Sequence, residues 1–266
     1  MDVIVVNSLA KRLRKNRAIR NRIQARFSHK AHIIAENSRQ AVLDALDRLS
    51  HAGHIARVFI VGGDGTFNDI LNWISTLPIN SRPALACVVG CQFCYMARFQ
   101  GFRSRNPVRN LHRILHGKIK LRYKQWQPIV MHDNATDTSR QGAVFANGVV
   151  TDILKWYEDA GKGGLLTVVR LAFLACLSVI SETIRRWVGR ITLRTGELTL
   201  GTQILRPQKY AGFAFGAVPE LVTSCRPFSG HPNLHEFYAI AYWGGLRRLA
   251  ISAPLLWFGR APRWLM

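Results

Sequence analysis

The apolar run Val58-Phe59-Ile60-Val61 breaks abruptly at Gly62-Gly63, and Phe67, Ile70, Leu71 and Ile74 then follow at helical spacing with Pro78 beyond. A β-branched and aromatic run of this kind predicts a buried strand, and the stripe predicts a helix that buries one face. Between them lies Gly62-Gly63-Asp64-Gly65-Thr66. Glycines let a backbone approach a phosphate closely, and the start of the following helix offers free N–H groups. Asp64 in such a turn could either bind a metal ion carried by a nucleotide or accept the proton of an attacking hydroxyl, the two tasks phosphoryl transfer asks of a carboxylate.

The sequence around this turn repeats the same alternation. Val3-Ile4-Val5-Val6 ends at Asn7-Ser8, a basic segment follows, and Ile33-Ile34 marks a second short strand. Ser38 is placed to cap a helix with Val42, Leu46 and Leu49 on its inner face, and Gly53 stops it. Ala84 to Val89 reads as another buried strand, and Val108, Leu111 and Leu115 as the inner face of a helix after Pro107. Strand and helix in turn over 1–118 predict an α/β domain with a Rossmann-like parallel sheet covered on both sides. From 119 onward the stretches are longer and strand-like: Ile119 to Met131, Ala143 to Val149, Ile191 to Leu205, Tyr210 to Val218 and Glu236 to Trp243. One helix, Leu165 to Trp187, interrupts them. Residues 119–266 are therefore expected to form a mostly antiparallel β-sandwich-like domain, and the aromatic tail could return to the first domain.

With 266 residues, 48% of them hydrophobic and 20% charged, the chain is neither a disordered polar polymer, a collagen-like repeat nor a multi-span transporter. Its 37 Lys and Arg against 15 Asp and Glu give a formal charge of +22, which calls for an anionic partner. The cations are concentrated. Nine Lys or Arg and no acid lie between Lys11 and Lys30, and no acid occurs between Asp69 and Asp133, where Arg98, Arg103, Arg105, Arg109, Arg113, Lys118, Lys120, Arg122 and Lys124 fall. Each run alone could be a solvated face; two together favour contact with an anionic surface. Five cysteines are an odd set, and Asp2 is followed by only four apolar residues, so neither a disulfide framework nor a cleavable leader is expected. Cys91-Gln-Phe-Cys94 has redox or zinc spacing but lacks a second ligand pair. Leu165 to Ile180 is apolar apart from Thr167, Arg170 and Ser178, shorter than the ~20 residues of a spanning helix, and reads as buried or membrane-grazing.

The segment Gly62-Gly63-Asp64-Gly65-Thr66-Phe67-Asn68-Asp69-Ile70-Leu71-Asn72 resembles the signature of the diacylglycerol kinase catalytic-domain superfamily, which includes bacterial lipid kinases and the sphingosine and ceramide kinases. Val3 to Ser8 resembles that family's first strand and Asn-Pro turn, with Ser8 in place of the proline. The resemblance implies a nucleotide-binding domain followed by a β-rich one, with ATP and Mg2+ as cofactors and a lipid as the phosphoryl acceptor. It assigns the catalytic carboxylate to Asp64, the nucleotide to Asn7, Gly62, Gly63, Gly65, Thr66, Asn68 and Arg98, and no metal ligand to any named residue. Asn147 to Asp152 is similar to the segment that leads into the lipid-recognition region, which puts Asp152 near the polar head of the lipid; read on its own, Asp152 is equally a surface acid that starts a helix.

Two departures bear on activity. The family's Gly-Thr-Gly-Asn-Asp-Phe-Ala-Arg loop corresponds to Gly90 to Arg98, where only the edge glycine and the Ala-Arg end survive, and its Asp-Gly-x-Leu-Asp stretch corresponds to His231 to His235. Glu236, directly after, is the candidate to take over a carboxylate role. The leading expectation is an ATP-dependent lipid kinase, cytoplasmic and peripherally associated with an anionic membrane, with no nucleic-acid partner. The rivals are a nucleotide- or lipid-binding pseudokinase and an enzyme resembling NAD kinases, whose acceptor would be soluble.

Overall fold

The computed structural model describes residues 1–8, 10, 13–14, 16–89, 94–102, 104, 106–121, 126–159, 167, 170, 173, 194–200, 203–219, 228 and 236–243. The chain divides into two compact units, Met1–Ala143 and Val144–Met266.

In the first unit β1 (Asp2–Val6), α1 (Arg17–Phe27), β2 (His32–Ile34), α2 (Arg39–Ala52), β3 (Arg57–Gly62), α3 (Asp64–Thr76) and β4 (Ala84–Val89) alternate as expected. Two shorter helices, α4 (Tyr95–Phe99) and α5 (Pro107–Leu115), and a hairpin of β5 (Ile129–Asp133) and β6 (Thr138–Gly142) complete it. The sheet is parallel in the order β2-β1-β3-β4. Val3 to Val6 and Val58 to Val61 have no exposed surface at all, which is why the two central strands read as unbroken apolar runs: each is covered on both faces.

Strand order explains where the helices lie. From β1 the chain moves outward to β2, then crosses back to β3 on the other side of β1. Right-handed crossovers in opposite directions place α1 on one face and α2 and α3 on the other. The contacts agree: α1 packs with α5, and α2 with α3. Ser38 caps α2 by accepting the Ala41 amide at 3.1 Å, and Asn106 caps α5 by accepting the Arg109 amide at 3.2 Å with Pro107 at the first helical position. The Trp73 indole donates to Asp47 at 2.6 Å and ties α3 to α2. On the open edge of the sheet, the Gln100 side chain behaves as a short piece of strand. Its oxygen accepts the Cys87 amide at 2.6 Å and its nitrogen donates to the Leu85 carbonyl at 3.2 Å.

In the second unit β7 (Val144–Ala146), α6 (Val149–Asp159), β8 (Arg194–Leu200), β9 (Gln203–Gly216) and β10 (Tyr238–Trp243) are described. All the strand pairings are antiparallel, with the long β9 joined to β7, β8 and β10. The fold is thus a Rossmann-like α/β unit followed by antiparallel β structure, as the sequence predicts.

Several expected boundaries move. Ile119 to Met131 is not one strand: only Ile129 to Met131 is in β5, the Trp126 ring packs against Phe67 on α3 at 6.0 Å, and Pro128 has no amide for a ladder. The strand expected at Ala143 to Val149 ends at Ala146, because Gly148 adopts φ +66° and α6 begins at Val149. The stretches Ile191 to Leu205 and Tyr210 to Val218 are redivided into β8 and the single β9, and the last strand starts at Tyr238 rather than Glu236. Of the helix expected over Leu165 to Trp187, Thr167, Arg170 and Phe173 are helical and the remainder lies outside the described residues, as does the C-terminal tail. No helix among the described residues is long and apolar enough to cross a membrane.

Candidate functional site

The sheet reverses its direction of growth between β1 and β3, and in open α/β sheets ligands bind at the carboxyl ends of the strands at such a point. Asn7 leaves the end of β1 there, and Gly62-Gly63 leaves the end of β3. The Asn7 amide nitrogen donates to Thr66 Oγ1 at 2.6 Å, and its backbone N–H donates to the Val61 carbonyl at 3.0 Å, so the two loops are held as one.

Sterics fix the glycine at 62. A Cβ there would stand 2.9 Å from Thr66 Oγ1 and 3.0 Å from Thr66 Cβ, and Thr66 is held by Asn7. Gly63 is the N-cap of α3 and has no side chain with which to cap it. The first helical amides, those of Asp64, Gly65 and Thr66, have no hydrogen-bond partner among the described residues; the first bond of the helix runs from Phe67 to the Gly63 carbonyl. Gly65 is different from Gly62: its backbone is helical, and a Cβ would meet nothing within 4 Å. Nothing among the described residues requires a glycine at 65, whereas a phosphate approaching the helix end would.

Asp64 points from the same turn toward α4. Its Oδ2 accepts the Tyr95 amide at 3.2 Å and its Oδ1 accepts the Met96 amide at 3.2 Å. Burial pushes its pKa from 3.8 up to about 6, and the two amides only partly offset that rise. The phenol of Tyr95 is raised by burial and then by the charge of Asp64, while a hydrogen bond from the Asn68 side chain works against that rise. The Asn68 amide oxygen is buried with no hydrogen-bond partner among the described residues. Behind them the buried Cys87 thiol is raised by burial and, secondly, by Asp64. Cys94, the residue before α4, is disulfide-bonded, and its sulfur lies 3.2 Å from the Gly62 carbonyl oxygen.

Of the residues singled out in the sequence, Asn7, Gly62, Gly63, Asp64, Gly65, Thr66 and Asn68 share this strand-end region of the first unit, and Arg98 is an exposed residue in the last turn of α4. Asp152 and Glu236 belong to the second unit. Asp152 is half-buried in the first turn of α6, and Glu236 is exposed just before β10. Three contributors carried no signal that could be read beforehand. The amides of Tyr95 and Met96 act through the backbone, which no side-chain pattern reports. Asn72, within the signature itself, clamps the hairpin: its nitrogen donates to the Gln141 carbonyl at 2.8 Å and its oxygen accepts the Gln141 amide at 2.7 Å.

Among the described residues no three His, Cys, Asp or Glu side chains are grouped to hold a metal ion. Near the turn, Asp64 accepts two amides and Asp69 is paired with Arg39 at 3.0 Å.

A glycine turn at a strand end, an uncapped helix start and a half-buried acid beside it mark the strand-end site of this α/β domain. Residues 3–121 match the family model of the diacylglycerol kinase catalytic domain. The whole chain is also similar in fold to crystal structures from Bacillus anthracis strain Sterne. One, provisionally named a diacylglycerol kinase, is 15% identical with a TM-score of 0.65 over 100% of this chain and 82% of that one. Another, described as a diacylglycerol kinase, is 16% identical with a TM-score of 0.58 over 95% of this chain and 77% of that one. At such identities the likeness is one of fold. No curated protein matches the sequence.

Proposed function

We propose that the protein is an ATP-dependent lipid kinase, transferring the γ-phosphoryl group to a hydroxyl of a diacylglycerol- or sphingoid-type lipid. The turn at the end of β3 carries this reading: three first-turn amides without partners among the described residues, open space at Gly65, and a half-buried carboxylate in the same turn. In the reaction the lipid oxygen bonds to the γ-phosphorus as the bond from that phosphorus to the bridging oxygen breaks. ADP leaves, and the hydroxyl proton passes to Asp64. Each Asp64 oxygen accepts one amide and keeps a further lone pair for that proton, and a pKa of about 6 suits a base working near neutral pH. Asn7 and Thr66 hold the turn, and Gly62, Gly63 and Gly65 admit the phosphates. Asn68 and Arg98 serve the nucleotide, Asp152 the lipid head, and Glu236 a second carboxylate role. Magnesium enters as the counter-ion of the ATP substrate. The acceptor places the protein, as a peripheral cytoplasmic protein, at an anionic membrane surface.

The test is incubation of the purified protein with labelled ATP, magnesium and an extracted lipid mixture. A labelled lipid is the expected product; a labelled dinucleotide would move the assignment to an enzyme resembling NAD kinases. One observation favours a second reading, a pseudokinase: both Asp64 oxygens serve α4 as a cap, a structural use that survives without chemistry. ATP binding without any transfer would select it.

A further inference from the structure

We infer that the acid-free face formed by α1 and α5 is the surface by which this protein docks on an anionic membrane, with His112, stacked on His116, as its pH-responsive part. The inference rests on the lipid-kinase reading for the presence of a membrane, and on the first unit for the location.

The two basic segments are far apart in the sequence, and the fold brings them together, because α1 packs with α5. On α1 the burial of Ile23 and Phe27 leaves Arg22 and Arg26 exposed, and Lys30 continues their spacing of four in the turn beyond. On α5 the burial of Pro107, Asn110, Leu111 and Ile114 turns Arg109 and Arg113 outward, with His116 and Lys118 exposed after it. None of these six Lys and Arg side chains forms an ion pair among the described residues. Neither helix contributes an acid, since none occurs between Asp2 and Glu36 or between Asp69 and Asp133. The face is a set of like charges with no counter-charge, and an anionic surface supplies one. It also lacks exposed Phe, Tyr or Trp on either helix, the platforms on which single-stranded bases stack, so a lipid surface suits it better than a nucleic acid.

His112 is the half-buried member of the patch, and its ring stacks on His116 with centroids 4.1 Å apart. Lost hydration, and then His116, Arg26, Lys118 and Lys30, hold its pKa below the ordinary value. His116 and Lys118 face it from the end of its own helix onward, Arg26 from α1 and Lys30 from the turn after α1. Anionic headgroups offset their repulsion, so the docked protein takes up protons more readily than the free one. Docking therefore tightens as pH falls through the histidine range and weakens as it rises.

The experiment is sedimentation of the full chain with phosphatidylcholine vesicles, with and without phosphatidylglycerol. Arg26→Gln with Arg113→Gln should weaken binding to the anionic vesicles roughly 30-fold, since each cation near such a surface contributes about 1 kcal/mol. Arg48→Gln with Arg140→Gln removes the same charge outside the face and should have little effect. Equal losses from the two pairs, equal binding to neutral vesicles, or a preference for nucleic acid over anionic vesicles would each overturn the proposal. A measurement on the wild type stands apart from any folding defect: vesicles should protect Lys30 and Lys118 from acetylation, and unprotected lysines would sink it. Affinity should rise from about pH 7.5 to about pH 5.5, across the ordinary histidine range. His112→Asn with His116→Asn should abolish the rise; its survival would remove the histidine part. The kinase reading fails separately. Vesicle binding through this face without phosphoryl transfer keeps the docking surface, whereas lipid phosphorylation in detergent micelles by a protein that ignores anionic vesicles removes the docking surface alone.

Discussion

The Gly62 to Thr66 turn and the Cys94 to Arg98 segment meet at one carboxylate, Asp64, but they are specified in different ways. In the turn, side-chain identity is dictated by close contacts: Thr66 excludes a Cβ at 62, and Asn7 holds Thr66. In the segment, the side chains of Cys94 and Tyr95 supply no charge, yet the chain folds into α4 and delivers two amides to Asp64. A backbone donor is supplied by any residue except proline, so a role carried by amides tolerates substitutions that a role carried by side chains does not.

That contrast can be broken most directly at Asp64. Asp64→Ala removes the proposed base and leaves two amides without an acceptor, so phosphoryl transfer should fall by about 10² to 10⁴ and the first unit should lose about 1–3 kcal/mol. Loss of activity with unchanged thermal stability would show that α4 does not depend on the carboxylate. The next effect is in pH. Because the folded pKa of about 6 lies above 3.8, the folded state binds the proton first, and stability falls as pH rises from about 4 to about 6. The span is at most about 3 kcal/mol and should flatten in Asp64→Asn, as read by denaturant titrations across that window. Activity, which needs the carboxylate, should instead rise with pH through about 6.

The side-chain half of the comparison is sharpened by two glycines. Gly62→Ala should cost about 1–3 kcal/mol, because the added methyl displaces a threonine already held in place. Gly65→Ala should do the opposite in the unliganded protein, stabilising α3 by about 0.5–1 kcal/mol while weakening ATP binding. A melt and a nucleotide titration on each variant decide the point, and unchanged ATP affinity in Gly65→Ala would remove the phosphate from that position. The smallest effect is expected from Tyr95→Phe. It keeps the amide to Asp64 and loses only the bond with Asn68, about 0.5–1.5 kcal/mol of stability with transfer largely intact.

The central sheet was legible because Val3 to Val6 and Val58 to Val61 are buried on both faces, a condition that writes itself as continuous apolar runs. The cap at Ser38 follows from local chemistry that neighbouring residues suffice to define. Trp126 shows where that locality ends. Its stretch has strand-like composition, but the ring packs on Phe67, a partner that the local pattern does not reveal. The candidate site divides in the same manner. Gly62, Asp64 and Thr66 announce themselves by type and spacing, whereas the Tyr95 and Met96 amides and the Asn72 clamp on Gln141 depend on tertiary placement.

Gln100 closes the exposed margin of β4 with one amide group, and that has a bearing on how this protein ages. An edge strand whose N–H and C=O groups are uncovered is a template for strand addition from another chain. The Gln100 amide blocks two of those groups, one as acceptor and one as donor, and an ionised carboxylate can only accept. Deamidation would turn that residue into a glutamate. The carboxylate would keep the bond to the Cys87 amide but repel the Leu85 carbonyl, and the margin of the sheet would then be half open to a second copy of the chain.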